Sequence, residues 1–206
     1  MRRELSYVIS DYLRTWQELE GKVQHCAKSN DLWHIETATI STNSDTIYYL
    51  PPANNSLRGV IVRVGIGTNI SIEHQLKKVF AQVHNYARQN VIQIGLSTFL
   101  GNLVKRNVVD LLIIEGEGGE YNMLQELGME GSVTERGVTV CQINIEFHRP
   151  TRPGDPREQK FLDILDLLSR YSNALTLRRK WSGQFWNASQ KRSKAYQIYN
   201  LGKDDM

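Results

Sequence analysis

The twelve residues DLLIIEGEGGEY, at positions 110–121, decide the fold of this chain. The run of leucine and isoleucine at residues 111–114 continues an apolar segment that begins at Val108. A nearly continuous apolar run is typical of a parallel strand buried on both faces. In open α/β sheets the ligand lies outside the carboxyl ends of the strands, where the glutamates and glycines after this run fall. The stretch therefore predicts a buried strand that leads into a binding loop.

Two more apolar segments have the same character. Residues 60–64 are rich in valine and isoleucine, and Gly65-Ile66-Gly67 follows them directly, before a helix predicted at residues 71–80. Residues 138–147 form the other apolar segment, which ends in polar Glu146 and His148. Strand, glycine turn and helix in this order predict an α/β fold.

The first part of the chain is predicted to lead into this sheet. Apolar residues recur at helical spacing between residues 5 and 23, which predicts an amphipathic helix. Short strands are expected around residues 35–40 and 47–50, before Pro51 and Pro52 interrupt regular structure. We therefore expect an N-terminal helix and irregular lead-in over residues 1–58.

The last part of the chain is predicted to finish the sheet. One-sided apolar spacing predicts a helix at residues 157–171, and two short apolar segments at residues 174–177 and 195–201 are candidate closing strands. The main domain is therefore expected to cover residues 59–206.

Composition excludes several classes of protein. The 206 residues are typical of one domain, and 25 Lys and Arg against 22 Asp and Glu give a net charge of +3, too small to indicate a nucleic-acid-binding protein by itself. No apolar stretch approaches the roughly 20 residues that cross a bilayer, and no cleavable signal is recognised, so a cytoplasmic location is expected by default. Cys26 and Cys141 pair at most once, which excludes a disulfide scaffold.

Residues 178–194 supply a rival hypothesis, which is nucleic-acid binding. They interleave basic and aromatic side chains in Arg178-Arg179-Lys180-Trp181, Phe185-Trp186 and Lys191-Arg192-Ser193-Lys194. This composition contacts phosphates and stacks nucleic-acid bases. A solvated basic loop between the closing strands is the alternative, and the low net charge favours it.

Two glycines are candidates for ligand binding, and one histidine is a candidate for catalysis. Gly65 and Gly67 suit either a tight turn or close approach of the backbone to a ligand, and the third glycine of a dinucleotide fingerprint is absent. His148 is a candidate general base with Glu146 as its orienting acid, although both are also explained as structural residues at a strand end. The spacing of carboxylates and His148 is no recognised metal-ligand pattern, so we expect no metal.

Four motifs together resemble the FkbM-type methyltransferases. Residues 110–121 are similar to that family's signature Asp-Leu-Leu-x-Ile-Asp-x-Glu-Gly-Ala-Glu-Tyr, with Glu115 where the family has Asp. The resemblance extends to VGIG at residues 64–67, LSTFL at residues 96–100 and QINIEFH at residues 142–148, in the family's order. The matched region is roughly residues 60–150.

The resemblance implies a Rossmann-like class I fold and S-adenosylmethionine-dependent methyl transfer, mostly to oxygen, on a small molecule or glycan. It implies that the cofactor is held by a set of glycines and glutamates, namely Gly65, Gly67, Glu115, Glu117, Gly118 and Glu120. His148 and Glu146 are then the candidate catalytic residues.

The chain departs from the family in its middle. Residues 83–90 are too few for the second strand, its helix and the third strand, so we expect the second and third strands to be missing there. A carboxylate that usually holds the cofactor ribose at the end of the second strand is also absent, since no Asp or Glu lies between Glu73 and Asp110. The alternative function is therefore a non-catalytic FkbM-like domain that has lost cofactor binding and acts as an interaction module.

Overall fold

The computed structural model describes residues 11–29, 37–41, 46–51, 59–65, 75, 82–86, 94–116, 118–128, 131–148, 150, 154–171, 175–180 and 194–200. The helices are α1 (Tyr12–Ser29), α2 (Leu96–Thr98, continued by a π-helical turn at Phe99–Val104), α3 (Glu120–Glu126), α4 (Ser132–Glu135) and α5 (Pro156–Tyr171). The strands are β1 (Ala38–Ser41), β2 (Thr46–Tyr49), β3 (Val60–Gly65), β4 (Gln82–Tyr86), β5 (Val108–Val109), β6 (Leu111–Glu115), β7 (Thr139–Val140), β8 (Gln142–Phe147), β9 (Leu175–Lys180) and β10 (Lys194–Asn200).

A six-stranded mixed sheet organises these elements. Its strand order is β4-β3-β6-β8-β10-β9. The first four strands are parallel, and β10 runs antiparallel to both of its neighbours. Two small sheets accompany it, an antiparallel β1-β2 hairpin and a parallel β5-β7 pair. Because β3, β6 and β8 are parallel, their carboxyl ends meet at one edge of the sheet.

The apolar run of β6 is explained by burial on both of its faces. Leu112 and Ile114 belong to the larger core, which the helices cover. Leu111 and Ile113 alternate with them and point to the other face, where the β1-β2 hairpin covers them. A strand buried on both sides needs apolar residues at successive positions, which is why the alternation of a half-exposed strand is absent here.

Helix α1 belongs to the larger core. Tyr12, Trp16 and Leu19 lie on one face of the helix and are buried. The Trp16 ring centroid lies 5.0 Å from that of Phe161 on α5. Phe161 in turn lies 5.4 Å from Phe147 of β8, centroid to centroid. A chain of aromatic contacts thus connects the lead-in to the helices and the central sheet.

A carboxylate at the end of α3 caps the start of α2. The backbone N–H groups of Leu96 and Ser97 donate to the Glu126 carboxylate at 3.0 and 2.9 Å, and the Ser132 hydroxyl donates to it at 3.1 Å. Partial burial raises the pKa of Glu126, but these hydrogen bonds outweigh burial and hold the pKa below its ordinary value. Glu126 therefore joins three helices as a charged cap.

Most predicted elements are confirmed. The helix of the lead-in, both short strands, the first apolar strand, the helix after residue 156 and the two closing strands are all present. The apolar segments at residues 108–114 and 138–147 are each divided between a short strand of the β5-β7 pair and a strand of the six-stranded sheet. Residues 5–10 and 181–193 lie outside the described residues, as does the helix predicted at residues 71–80 apart from Gln75. None of the helices in the described ranges is long and apolar enough to span a membrane.

The prediction that the second strand is missing around residues 83–90 is wrong. Strand β4 lies there and pairs in parallel with β3, with Val60 opposite Gln82 and Val64 opposite Tyr86. In the described sheet β4 is an edge strand, and edge strands tolerate polar residues because one side is not covered by another strand. The missing third strand remains a prediction, since residues 87–93 lie outside the described residues.

Candidate functional site

The candidate site lies at the carboxyl ends of β3, β6 and β8. Gly65 ends β3 and is paired with Glu115, which ends β6. A Cβ atom on Gly65 would overlap the Glu115 carbonyl oxygen and lie 2.8 Å from the Glu115 Cβ, so only glycine permits this approach of the two strands. The two strand ends are therefore locked together at this edge.

The loop from β6 to α3 is built on glycine. The Gly119 N–H donates to the Gly116 carbonyl at 2.9 Å and closes the turn. A Cβ atom on Gly116 would lie 2.7 Å from the Glu120 nitrogen, and Gly118 has a φ of 102°, which disfavours any other residue. The glycines in residues 116–119 thus allow the chain to turn sharply into α3.

Glu120 fastens this loop to the end of β8. Its carboxylate is fully buried. Oε2 accepts the Gly118 N–H at 2.5 Å, and Oε1 accepts the His148 N–H at 2.9 Å. Nδ1 of His148 lies 3.3 Å from the same Oε1. Burial by itself raises the pKa of Glu120, but the contacts with the His148 imidazole and with the backbone N–H groups prevail, so the pKa lies below its ordinary value.

His148 is held from two sides. Besides its N–H to Glu120, its carbonyl accepts the Tyr121 hydroxyl at 2.8 Å. The His148 side chain is 32% exposed. A proton on Nδ1 would face the buried carboxylate, and Nε2 would then carry the lone pair that is able to accept a proton. This arrangement of carboxylate and imidazole is suited to general-base chemistry.

A second ion pair lies at the end of β6. Arg63 Nη2 is 2.6 Å from Glu115 Oε2, and the two side chains are 11% and 24% exposed. The guanidinium neutralises part of the charge of the carboxylate, and the partner strands hold the pair in place. Glu115 remains accessible at the edge of the sheet.

The structure brings most of the predicted site residues together. Gly65, Glu115, Gly118, Glu120 and His148 lie around this edge. Glu146 makes no hydrogen bond or ion pair with His148 among the described residues, and the carboxylate that lies beside the His148 imidazole is that of Glu120. Gly67 and Glu117 lie outside the described residues.

Sequence reasoning missed three polar residues of the site. Arg63 pairs with Glu115, Tyr121 binds the His148 carbonyl, and Arg157 on α5 packs against Gly118. Arg63 could have been found from the sequence, because a charged residue inside the apolar run of β3 needs a partner. The roles of Tyr121 and Arg157 follow only from contacts between segments that are distant in sequence.

No group of three His, Cys, Asp or Glu side chains within the described ranges is arranged to hold a metal ion. Cys141 is a free thiol, and burial, with a smaller contribution from Asp110, raises its pKa.

The mixed sheet, with its glycine loop at the carboxyl edge, defines an α/β protein, and this fold is consistent with that of an α/β methyltransferase. The family model described as methyltransferase FkbM domain matches residues 20–175, and the chain belongs to this family. The resemblance predicted from the four motifs is thus confirmed.

One curated relative is the uncharacterized protein C28H8.7 of Caenorhabditis elegans. It is 35% identical over 74 residues, which are 35% of this chain and 26% of the relative. The match therefore spans about a quarter of that protein. No solved structure matches the chain.

Proposed function

We propose that this chain is an S-adenosylmethionine-dependent methyltransferase that modifies a hydroxyl oxygen of a small molecule or glycan. The observation that carries the proposal is the pairing of buried Glu120 with half-buried His148 at the carboxyl edge of the sheet, in a chain of the methyltransferase FkbM domain family. A buried carboxylate behind an imidazole supports proton removal from a hydroxyl.

The strand order supports a Rossmann-like class I arrangement. Strand β3 has β4, the next strand of this sheet along the chain, on one side and β6 on the other. The order reverses between β3 and β6, and ligands of open α/β sheets bind at such a switch point. Gly65 and Glu115 lie at the ends of these two strands. The cofactor crevice is therefore proposed at this pair.

The donor set at this crevice suits the methionine end of the cofactor. The sulfonium and ammonium groups are cationic, and the Glu115 carboxylate is 24% exposed there. Gly65, Gly67 and the Glu115–Glu120 segment, with Glu117 and Gly118, are proposed to hold it. When bound, the cofactor supplies a methyl group on a positively charged sulfur.

The chain's own residues supply positioning and a base. Glu120 fixes the loop and the imidazole, and His148 Nε2 takes the proton that the acceptor hydroxyl loses. Both groups act from rigid positions, because Glu120 binds two backbone N–H groups and Tyr121 binds the His148 carbonyl. Alignment of the acceptor oxygen is the main contribution to rate in such a transfer.

A non-catalytic domain is the second candidate function, and one observation favours it. Strand β4 ends at Tyr86, and the chain has no Asp or Glu between Glu73 and Asp110 to bind the ribose hydroxyls. In this alternative the scaffold persists without cofactor and acts through contacts with other molecules.

The test is formation of S-adenosylhomocysteine from S-adenosylmethionine with a panel of hydroxyl compounds. We expect turnover by the natural chain and a loss in kcat of about 10²-fold or more for His148→Gln. Glu146→Gln is the matched control, since Glu146 makes no hydrogen bond or ion pair with His148 in the described structure, and it should retain turnover. A folded chain that binds the cofactor product and yet turns over no panel compound contradicts methyl transfer to such hydroxyls. Equal turnover in His148→Gln and the natural chain contradicts the proposed role of His148.

A further inference from the structure

A fixed guanidinium stands at the first turn of α5. Arg157 Nε lies 3.0 and 3.1 Å from the two Asp155 carboxylate oxygens, and Nη2 lies 2.6 Å from Oδ2. The Arg157 N–H also donates to Asp155 at 2.9 Å. This forked contact orients the guanidinium before any ligand arrives, so little side-chain entropy remains to be lost on binding.

The contact with Asp155 uses Nε and Nη2 of this guanidinium and leaves Nη1 out. Nη1 of Arg157 makes no hydrogen bond with any residue that the structure describes. It faces the Gly118 backbone, because a Cβ atom on Gly118 would lie 2.9 Å from it. The Arg157 side chain is 34% exposed. Two N–H donors of a cation are therefore presented beside the loop.

The same loop connects Arg157 to His148. Gly118 donates to Glu120, and Glu120 contacts the His148 imidazole. Two partly exposed side chains, each oriented by a carboxylate behind it, thus flank the segment from Gly118 to Glu120. One is a cation with free donors, and the other is able to accept a proton.

We propose that Arg157 binds a carboxylate of the acceptor, so that the hydroxyl compound methylated at His148 is an organic acid such as a hydroxy acid or an acidic sugar. This inference rests on the proposed function. Two carboxylates, Asp155 and Glu120, already lie close to Arg157 and repel a doubly charged phosphate more strongly than a singly charged group. The free donors of Nη1 suit a single carboxylate.

The test compares the binding of three probes by ligand-observed NMR, with no methyl transfer needed. Glucuronate, glucose and glucose 6-phosphate share a ring and differ in the group at one carbon. The natural chain should bind glucuronate about tenfold more tightly than glucose, the size expected for one charge-assisted contact. Glucose 6-phosphate should bind less tightly than glucuronate.

Variants assign this preference to Arg157. Arg157→Gln should bind glucuronate and glucose equally, and Arg157→Lys, which keeps the charge without the fork, should keep part of the preference. Exposed Arg136, which lies 3.4 Å from Asn102, supplies the matched control Arg136→Gln, and this variant should retain the full preference. Thermal melts by circular dichroism report whether each variant folds.

Three results overturn the proposal: equal binding of glucuronate and glucose by the natural chain, tighter binding of glucose 6-phosphate, or an unchanged preference in Arg157→Gln. If Arg157→Gln does not fold, an unchanged preference in Arg157→Lys overturns it. A parallel titration with S-adenosylhomocysteine tests the proposed function separately, so loss of cofactor binding with an intact glucuronate preference is recognisable.

Discussion

The buried carboxylate of Glu120 accepts the backbone N–H of His148 at 2.9 Å and lies 3.3 Å from the Nδ1 atom of the same residue. One side chain therefore fixes both the backbone and the ring of His148. Because its other oxygen accepts the Gly118 N–H, the loop after β6 is joined to the end of β8 through this one carboxylate. The loop at residues 116–120 and His148 therefore belong to one site.

Replacing Glu120 should weaken the fold as well as the site. Glu120→Gln keeps the shape but turns one acceptor into a donor that faces a backbone N–H, which costs about 1–3 kcal/mol in the free energy of unfolding. Urea denaturation measures this loss. Glu135→Gln, at an exposed position of α4, is the control and should lie within about 0.5 kcal/mol of the natural chain. Equal stability of Glu120→Gln and Glu135→Gln would contradict the described role of Glu120.

Two glycines should respond to alanine in opposite directions. Gly65→Ala places a methyl group against the Glu115 carbonyl and should cost more than about 3 kcal/mol of stability. Gly21, an exposed residue of α1, has no atom within 4 Å of the position that a Cβ would take, so Gly21→Ala should stabilise the chain by about 0.5–1 kcal/mol. Denaturation midpoints measure both. The close approach of β3 to β6 is refuted if Gly65→Ala is tolerated as well as Gly21→Ala.

The lead-in helix should be required for stability. Trp16 is 2% exposed and packs on Phe161, so Trp16→Ala should cost about 3–5 kcal/mol in the free energy of unfolding. Leu13 lies on the same helix but is 52% exposed, so Leu13→Ala should change stability by less than about 0.5 kcal/mol. Guanidinium denaturation followed by circular dichroism measures both. Similar effects of the two variants would mean that α1 does not pack as described.

Acid should destabilise the chain through Glu126. Because the folded-state pKa of Glu126 is lowered, its contribution to stability is complete above the ordinary pKa of glutamate and is lost as the pH falls through the lowered value. Glu120 acts with the same sign. The free energy of unfolding, measured against pH, should therefore fall in acid.

Variants separate the contribution of Glu126. Glu126→Gln should lower stability at neutral pH and make the acid decline shallower. Ser132→Ala removes one hydrogen bond to the carboxylate, so it should move the decline to higher pH. An acid decline as steep in Glu126→Gln as in the natural chain would show that this cap does not titrate as described.

The central strands were predictable because burial on both faces leaves a continuous apolar run. Strand β6 has this pattern, and its place in the sheet follows from it. Strand β4 was not predictable, since Gln82, His84 and Asn85 interrupt any apolar run. Its pairing with β3 depends on backbone hydrogen bonds, which side-chain patterns do not report.

The site residues were predictable singly, but their partners were not. Glu120 and His148 are both candidates from the sequence, yet nearness along the chain favours Glu146, two residues away, as the acid behind His148. Contacts between segments decide the true partner, and Glu120 is 28 residues distant in sequence. Arg63 and Glu115, 52 residues apart, are joined in the same way by the pairing of β3 with β6.

The most direct test of the cofactor site is calorimetric titration of the purified chain with S-adenosylhomocysteine, the product of the transfer. We predict binding in the micromolar range. Glu115→Gln removes the charge of the partly exposed carboxylate at the switch point and should weaken binding, whereas Glu135→Gln should leave it unchanged. A folded chain that gives no heat up to millimolar ligand would contradict the proposed cofactor site and favour the non-catalytic domain.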